Sequence, residues 1–210
     1  MPKQILVAFE TNAGSTQEVA GAIADTFSSG GTKVDVRRLS DISDVGGYDA
    51  AVIGAPMIIG WHRRAVKFIR RHQEHLKRIP VAYFMTALSL TDSGLHTVEG
   101  NEGISGIDIY RDPSLLKQPR NPDFLSFRER RSSLRAYLAP VLKKAPLVKP
   151  VSIGLFAGKL DYRKLKFPQM VFVMLLFAEK PRDYRDWDHI RGWATKLGPK
   201  LLTASQTFEE

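Results

Sequence analysis

Five short strand-like runs, four of them apolar and one, 33–39, alternating, constrain the fold of this chain more than any other feature of its sequence. Each is followed by turn-forming residues, and stretches with helical spacing separate them. The runs lie at residues 4–9, 33–39, 49–55, 79–88 and 150–158. Strands that alternate with helices favour a parallel sheet with helices on both faces. We therefore predict an α/β fold, a three-layer sandwich around a five-stranded parallel sheet.

Apolar residues at helical spacing predict five helices. They are expected from Ser15 to just before the Gly30-Gly31 pair, and over residues 63–78, 128–144, 168–179 and 187–202. Asp186 is the expected N-cap of the last helix. Residues 91–127 contain glycines and prolines without a sustained period, which indicates a long insertion or lid. We predict a single domain over residues 1–204, with this insertion after the fourth strand.

Composition excludes several kinds of chemistry. The chain has no cysteine, which rules out disulfides, thiolate metal sites, iron–sulfur clusters and cysteine nucleophiles. Any redox chemistry would therefore need a bound organic cofactor. The formal net charge of +9 favours acidic partners. No signal-peptide pattern precedes the first strand, and the apolar run at residues 170–178 is too short to span a membrane. We expect a cytoplasmic protein, either free or peripheral at the inner face of the cell membrane.

Ligands of open parallel sheets bind outside the carboxyl ends of the strands, which selects the loops 10–16, 55–62 and 157–163. The first contains the stretch Thr11-Asn12-Ala13-Gly14-Ser15-Thr16, rich in hydroxyl groups and free of lysine and arginine. It precedes a predicted helix, whose unpaired N-terminal amides can bind a phosphate without a basic side chain. The spacing is neither that of a Walker loop nor that of the dinucleotide fingerprint. The alternative is a well-capped helix without a ligand.

The other two loops each carry an aromatic residue. Pro56 and Gly60 punctuate a turn that leads directly to Trp61. We expect Trp61 to lie outside the deep core, where a flat ligand could stack on it. Gly158 permits close approach to the backbone, and Tyr162 offers a second aromatic surface. The alternatives are that Trp61 packs on its own helix and that Tyr162 lies on the surface.

Taken together, the three loops resemble those of the flavodoxin fold family, over residues 3–90 and 128–200. The resemblance implies a strand order of 2-1-3-4-5 and FMN as the cofactor. It implies that the FMN phosphate is held by Thr11, Asn12, Ala13, Gly14, Ser15 and Thr16. It further implies that the flavin is bordered by Pro56, Met57, Ile58, Ile59, Gly60, Trp61, Ala87, Leu88, Ala157, Gly158, Lys159, Leu160, Asp161 and Tyr162. No catalytic side chain is implied, and the Gly60 backbone is the candidate beside flavin N5.

Longer blocks resemble the flavodoxin-like protoporphyrinogen IX dehydrogenases that pass electrons to menaquinone. They are "YDAAVIGAPMIIGWHRRAVKFIRRH", "FAGKLDYRKL" and "DWDHIRGWATKL". The resemblance implies an FMN-dependent oxidoreductase of heme biosynthesis, with a tetrapyrrole-like donor and a quinone acceptor. The segment 88–127 departs from that family by its length and by its opening "LSLTDSGLHTVEGNEG", which has no basic residue. An electron carrier that docks on a redox protein therefore remains an alternative. Nucleic-acid binding is not expected, because the chain has no recognition motif.

Two basic segments suggest where partners could bind. On the helix at 63–78 the residues Arg63, Arg64, Lys67, Arg70 and Arg71 share one face, with His72 on the apolar side. This face either attracts anionic lipid or propionate groups, or is simply solvated. The apolar helix within residues 163–182 has basic flanks, which suits a membrane interface, a core helix or a homodimer contact.

Overall fold

A computed structural model describes residues 4–57, 60–91, 107–121, 123–160 and 182–204. The strands in chain order are β1 (Gln4–Phe9), β2 (Lys33–Arg38), β3 (Ala50–Pro56), β4 (Val81–Ala87), β5 (Leu90–Thr91), β6 (Asp108–Arg111), β7 (Leu116–Lys117), β8 (Ser152–Ala157), β9 (Lys159–Leu160) and β10 (Arg182–Asp183). The helices are α1 (Ser15–Ser29), α2 (Arg63–Arg71), α3 (Gln73–Leu76), α4 (Phe127–Arg131), α5 (Leu134–Lys144) and α6 (Trp187–Ala204). Short 3₁₀ turns cover Leu39–Asp41 and Pro113–Leu115.

Within the described residues, the main sheet has six parallel strands in the order β2-β1-β3-β4-β8-β6. The five predicted strands lie in the predicted order, which confirms the flavodoxin-like α/β fold. The predicted count of five is wrong by one, because β6 pairs with the outer side of β8. β3, β4 and β8 are buried along nearly their whole length, as expected of parallel strands covered on both faces.

Helices cover both faces of this sheet. α1 and α6 pack on one face around Ile23, Phe27 and Trp193. α2 and α5 pack on the other face, where Phe68, Ile69, Leu138 and other apolar residues form the second core. The sheet is therefore the middle layer of the predicted three-layer sandwich.

The predicted helix at 63–78 is two helices, because the backbone of His72 leaves the helical region at φ −104° and ψ 13°. The ring of His72 lies 4.6 Å from that of Phe68, which confirms that this histidine packs against an apolar neighbour. Asp186 caps α6 as predicted: one of its carboxylate oxygens accepts from the amides of Asp188 and His189, each at 3.0 Å.

The described part of the insertion is more regular than its composition suggests. It contributes β6 to the main sheet, the small parallel pair β5–β7 and the start of α4. The carboxylate of Asp112 accepts from the Ala157 amide at 3.1 Å and anchors the insertion to the end of β8. Within the segment 91–127, predicted as an insertion or lid, β6 is part of the main sheet. The helix predicted at 168–179 lies outside the described residues.

Candidate cofactor-binding site

A cleft opens at the carboxyl ends of β1, β3, β4 and β8, where the three selected loops meet. It is lined by Thr11, Asn12, Ala13, Ser15, Thr16, Pro56, Met57, Thr86, Ala87, Leu88, Gly158, Lys159 and Leu160. Of these, only Thr86 was not among the residues predicted from the sequence. The fold therefore brings loops that are far apart in the chain to one site, as the rule for open parallel sheets requires.

The loop 11–16 has the geometry of an anion site. Gly14 is the N-cap of α1 and adopts the left-handed conformation with φ 88°, which side-chain-bearing residues adopt at a cost. Its amide donates to the Thr11 hydroxyl at 2.8 Å, which holds the loop closed. The amides of residues 15–17 begin the helix and have no partner within it, so they remain available to a bound anion.

Two threonines pair at the base of this loop. The hydroxyls of Thr16 and Thr86 are 2.9 Å apart and buried, and they join α1 to the end of β4. Thr86 was missed because it lies inside an apolar run that reads as a strand. Its position one residue before Ala87, at the carboxyl end of that strand, is the signal that could have identified it.

The third loop is held against the first. The Gly158 amide donates to the Ala87 carbonyl at 2.8 Å, and the Lys159 amide donates to the Ser15 hydroxyl at 3.3 Å. A Cβ at Gly158 would lie 3.4 Å from that carbonyl, which is an ordinary van der Waals distance, so the packing alone does not require glycine here. The predicted residue Ala157 ends β8 and is buried there rather than lining the cleft.

A buried arginine fixes the strand that follows this loop. The Arg185 side chain is 2% exposed and forms two hydrogen bonds with the Asp183 carboxylate of β10, at 2.6 and 2.8 Å. It also donates to Glu18 in the first turn of α1 at 2.8 Å. These contacts hold the β9–β10 pair close to the beginning of α1.

Of the described residues in the second loop, Pro56 and Met57 line the cleft, whereas the predicted Gly60 and Trp61 do not. Trp61 is 4% exposed, its indole donates to the Ala55 carbonyl at 3.2 Å, and its ring lies 5.1 Å from Tyr83. The expectation that Trp61 lies outside the core is therefore wrong: the indole fills space between β3, β4 and α2. Gly60 adopts a left-handed φ of 78°. The predicted residues Ile58, Ile59, Asp161 and Tyr162 lie outside the described residues.

A buried carboxylate, which no sequence motif indicates, lies just before the loop 11–16. Glu10 is 1% exposed and accepts hydrogen bonds from the Thr11 amide at 3.1 Å and from Arg38 at 2.7 and 2.9 Å. Its second oxygen accepts from Arg64 at 3.3 Å. Burial raises the pKa of Glu10, but hydrogen bonds from Arg38, Thr11 and Arg64 outweigh burial and keep the pKa below its ordinary value.

The first turn of α2 begins beside this carboxylate. His62 is the N-cap, and its Nδ1 accepts from the Arg64 amide at 3.4 Å. Burial and the neighbouring arginines lower the pKa of His62, while Glu10 partly opposes that shift. The neutral imidazole that accepts this hydrogen bond is thereby favoured.

The basic residues predicted to share one face of α2 are exposed in the structure. Ala65, Val66, Phe68 and Ile69 are buried, whereas the exposed residues are Arg63, Arg64, Lys67, Arg70 and Arg71. Among the helices of the described ranges, none has the length and apolarity needed to cross a bilayer.

The residues present fit FMN. The phosphate requires amide and hydroxyl donors, which residues 11–16 supply. The flavin requires an open slot with apolar walls, which Pro56, Met57, Ala87 and Leu160 provide. The left-handed Gly14 leaves the N-cap of α1 without a side chain.

Comparisons with known proteins identify similar sequences and structures. Over 86 residues the chain is 30% identical to protoporphyrinogen IX dehydrogenase (quinone) of Escherichia coli K12, a match that covers 40% of this chain. Because it covers 48% of that enzyme, the chain spans about half the length of the curated relatives it matches.

Solved flavodoxins are also among the similar structures. One from Megasphaera elsdenii is 12% identical, with a TM-score of 0.46 over 91% of this chain and 98% of the other. An archaeal flavodoxin is 11% identical, with a TM-score of 0.45 over 97% and 99%. The flavodoxin domain family, whose members bind FMN, matches residues 6–185. The chain belongs to the flavodoxin domain family.

Proposed function

We propose that this chain is an FMN-dependent oxidoreductase that takes electrons from a tetrapyrrole-like donor and passes them to a quinone. The observation that carries the proposal is the cleft, in which an anion-binding helix N-terminus lies beside a slot with apolar walls. Bound FMN would supply the electron-transfer chemistry. The chain itself needs to bind, orient and shield the cofactor.

On the phosphate side, residues 11–16 bind the anion through the backbone. The hydrogen bond between the Gly14 amide and Thr11 fixes the loop, and the Thr16–Thr86 pair fixes the helix that follows it. The site is therefore formed before the ligand arrives, which lowers the entropic cost of binding.

On the ring side, the proposed contacts come from two loops. Pro56 and Met57 form one wall, while Gly158, Lys159 and Leu160 form the other. Gly60 is the proposed backbone neighbour of flavin N5, and its positive φ allows a peptide orientation that other residues rarely adopt. Ile58, Ile59, Asp161 and Tyr162 complete the proposed lining.

The electron donor and acceptor are proposed from the relative and from the charge of the surface. The relative carries a protoporphyrinogen dehydrogenase (quinone) name. The exposed arginines of α2 begin three residues after Gly60, so a cationic surface lies next to the cleft. Such a surface would attract the carboxylates of a porphyrinogen or the anionic lipids among which quinones dissolve.

An anaerobic assay tests this proposal. The purified protein is loaded with FMN and mixed with protoporphyrinogen IX, with and without a menaquinone analogue. We expect porphyrin to form in both cases. Without the quinone its yield is limited to about one porphyrin per three FMN, because this oxidation removes six electrons and each FMN accepts two, whereas with the quinone it forms catalytically. A protein that stays colourless in excess FMN would refute the proposal. Loaded protein that oxidises no porphyrinogen would limit it to FMN binding.

The family match also supports a second function, an electron carrier that docks on a protein partner through the basic face of α2. This function predicts rapid reduction of the loaded protein by a flavodoxin reductase and no turnover with porphyrinogen or quinone. Reversal of charge at Arg70 and Arg71 would then slow the protein–protein reaction without affecting FMN binding.

A further inference from the structure

The loop 11–16 has no lysine or arginine of its own, but two guanidinium groups lie directly behind it. Arg38 comes from the end of β2 and Arg64 from the first turn of α2, and both bind the Glu10 carboxylate. The Glu10 side chain is 1% exposed, whereas those of Arg38 and Arg64 are 44% and 65% exposed. The buried Glu10 carboxylate thus holds two exposed guanidinium groups next to the loop.

The cluster carries a net charge. Two guanidinium groups and one carboxylate leave one positive charge beside a loop that would hold a dianion. The Glu10 carboxylate alone would repel a phosphate. With the two arginines present, the electrostatic interaction of the cluster with a phosphate becomes attractive.

The same cluster fixes the backbone at the start of the loop. The Thr11 amide donates to Glu10 at 3.1 Å, and the Thr11 carbonyl accepts from Arg38 at 3.3 Å. The Thr11 hydroxyl in turn accepts from the Gly14 amide at 2.8 Å. A continuous chain of hydrogen bonds therefore connects Arg38 to the N-cap of α1.

Glu10 itself is held by the sheet. Its own amide donates to the Gly54 carbonyl at 2.9 Å, which extends the pairing of β1 with β3 by one residue. The carboxylate is thus fixed relative to β1, and it transmits the position of the arginines to the loop.

We propose that Glu10, Arg38 and Arg64 are positioning residues that make this site selective for a flavin with a phosphate over one without it. This inference rests on the proposed function, since it assumes that the loop 11–16 binds the phosphate of FMN. Arg38 contributes more than Arg64, because it forms two short hydrogen bonds to Glu10 and a third to Thr11, whereas Arg64 forms one at 3.3 Å.

Titration of the cofactor-free protein with two probes, FMN and riboflavin, tests the inference through the quenching of flavin fluorescence. The variants are Arg38→Gln, Arg38→Lys and Arg64→Gln. Arg37→Gln is the matched control, because Arg37 is the neighbour of Arg38 in β2 but donates to the Asp41 carbonyl instead. Thermal melts of each variant establish that it is folded.

We expect Arg38→Gln to weaken FMN binding about tenfold, the effect of losing one charge-assisted contact, with less than about a twofold change for riboflavin. Arg38→Lys should also weaken FMN binding, but less than Arg38→Gln, because an ammonium group keeps the positive charge and cannot form the forked pair. Arg64→Gln should also weaken FMN binding, by a smaller factor. Arg37→Gln should bind both flavins as the unmodified protein does.

The results separate the two hypotheses. If the unmodified protein binds neither flavin, the proposed function fails. If it binds FMN, but folded Arg38→Gln and Arg64→Gln retain its preference for FMN over riboflavin, the positioning role of the cluster is overturned. Wild-type affinity in Arg38→Lys, or an equal loss in Arg37→Gln, would also overturn it in favour of a general charge effect.

Discussion

The two halves of the cleft are built by different means. On the proposed phosphate side, backbone amides, a left-handed glycine and hydroxyl groups come from six consecutive residues, 11–16. On the proposed ring side, the walls come from separate loops, and the aromatic residue predicted to stack there, Trp61, lies in the core. A site formed by one helix N-terminus follows from local sequence, whereas a site formed by packing depends on where each side chain finds space.

The largest expected effect tests the core position of Trp61. Trp61→Ala should lower the free energy of unfolding by about 3–5 kcal/mol, because it removes a buried indole. Trp61→Phe should stay folded and bind FMN within about twofold of the unmodified protein, since the indole does not line the cleft. Chemical denaturation and FMN titration measure both quantities. A normal stability with an FMN affinity at least tenfold weaker would instead place Trp61 against the flavin.

The next effect concerns the phosphate side. Gly14→Ala should cost about 1–2 kcal/mol of stability through left-handed strain, and should weaken FMN binding about tenfold by displacing the amides. Gly31→Ala is the control, because Gly31 has a φ of 80° with open space around it at the other end of α1. It should lose comparable stability and keep its FMN affinity. Equal FMN affinities in the two variants would show that Gly14 does not contribute to FMN binding.

A smaller effect is expected at the pair that joins the two sides. Thr86→Val should cost about 1 kcal/mol, because it leaves the buried Thr16 hydroxyl without its partner. Thr16→Val with Thr86→Val should recover much of that loss, since no unpaired hydroxyl remains. Unfolding of the two single variants and the double variant provides the coupling energy. Additive losses would show that the hydroxyls act independently.

The smallest effect is a pH dependence at Glu10. Its pKa is lower in the folded protein than its ordinary value of 4.5, because hydrogen bonds from Arg38, Thr11 and Arg64 outweigh burial. The carboxylate therefore stabilises the fold above pH 4.5, and this contribution is lost as the pH falls through the folded pKa. Melting temperatures between pH 3 and 7 should decline more steeply for the unmodified protein than for Glu10→Gln. Parallel curves would contradict the lowered pKa.

Much of the fold could be predicted because its signals are local. The runs that form β1, β3, β4 and β8 are apolar enough to be recognised alone, and Asp186 shows the start of α6. β6 could not be recognised, because its four residues are half exposed and their partner, β8, lies more than forty residues further along the chain.

The site shows the same division. Residues 11–16 and the glycine at 158 were identified from loop chemistry, which needs only neighbouring residues. The Glu10 cluster was missed because its arginines lie 28 and 54 residues away in the chain. The exposure of Trp61 was predicted wrongly because its burial depends on contacts with Tyr83 and with the Ala55 carbonyl, which no local sequence pattern indicates.

Among the residues that the structure describes, β2 and β6 are the outermost strands of the main sheet, which has a consequence for the behaviour of the chain at high concentration. β2 alternates charges along its length, with Lys33, Asp35 and Arg37, and β6 is only four residues long. Asp108 at the start of β6 is moreover paired with Lys200 at 2.7 Å. A second copy adding a strand at either margin would have to bury charged groups, so fibre-like growth of the sheet is disfavoured from both ends.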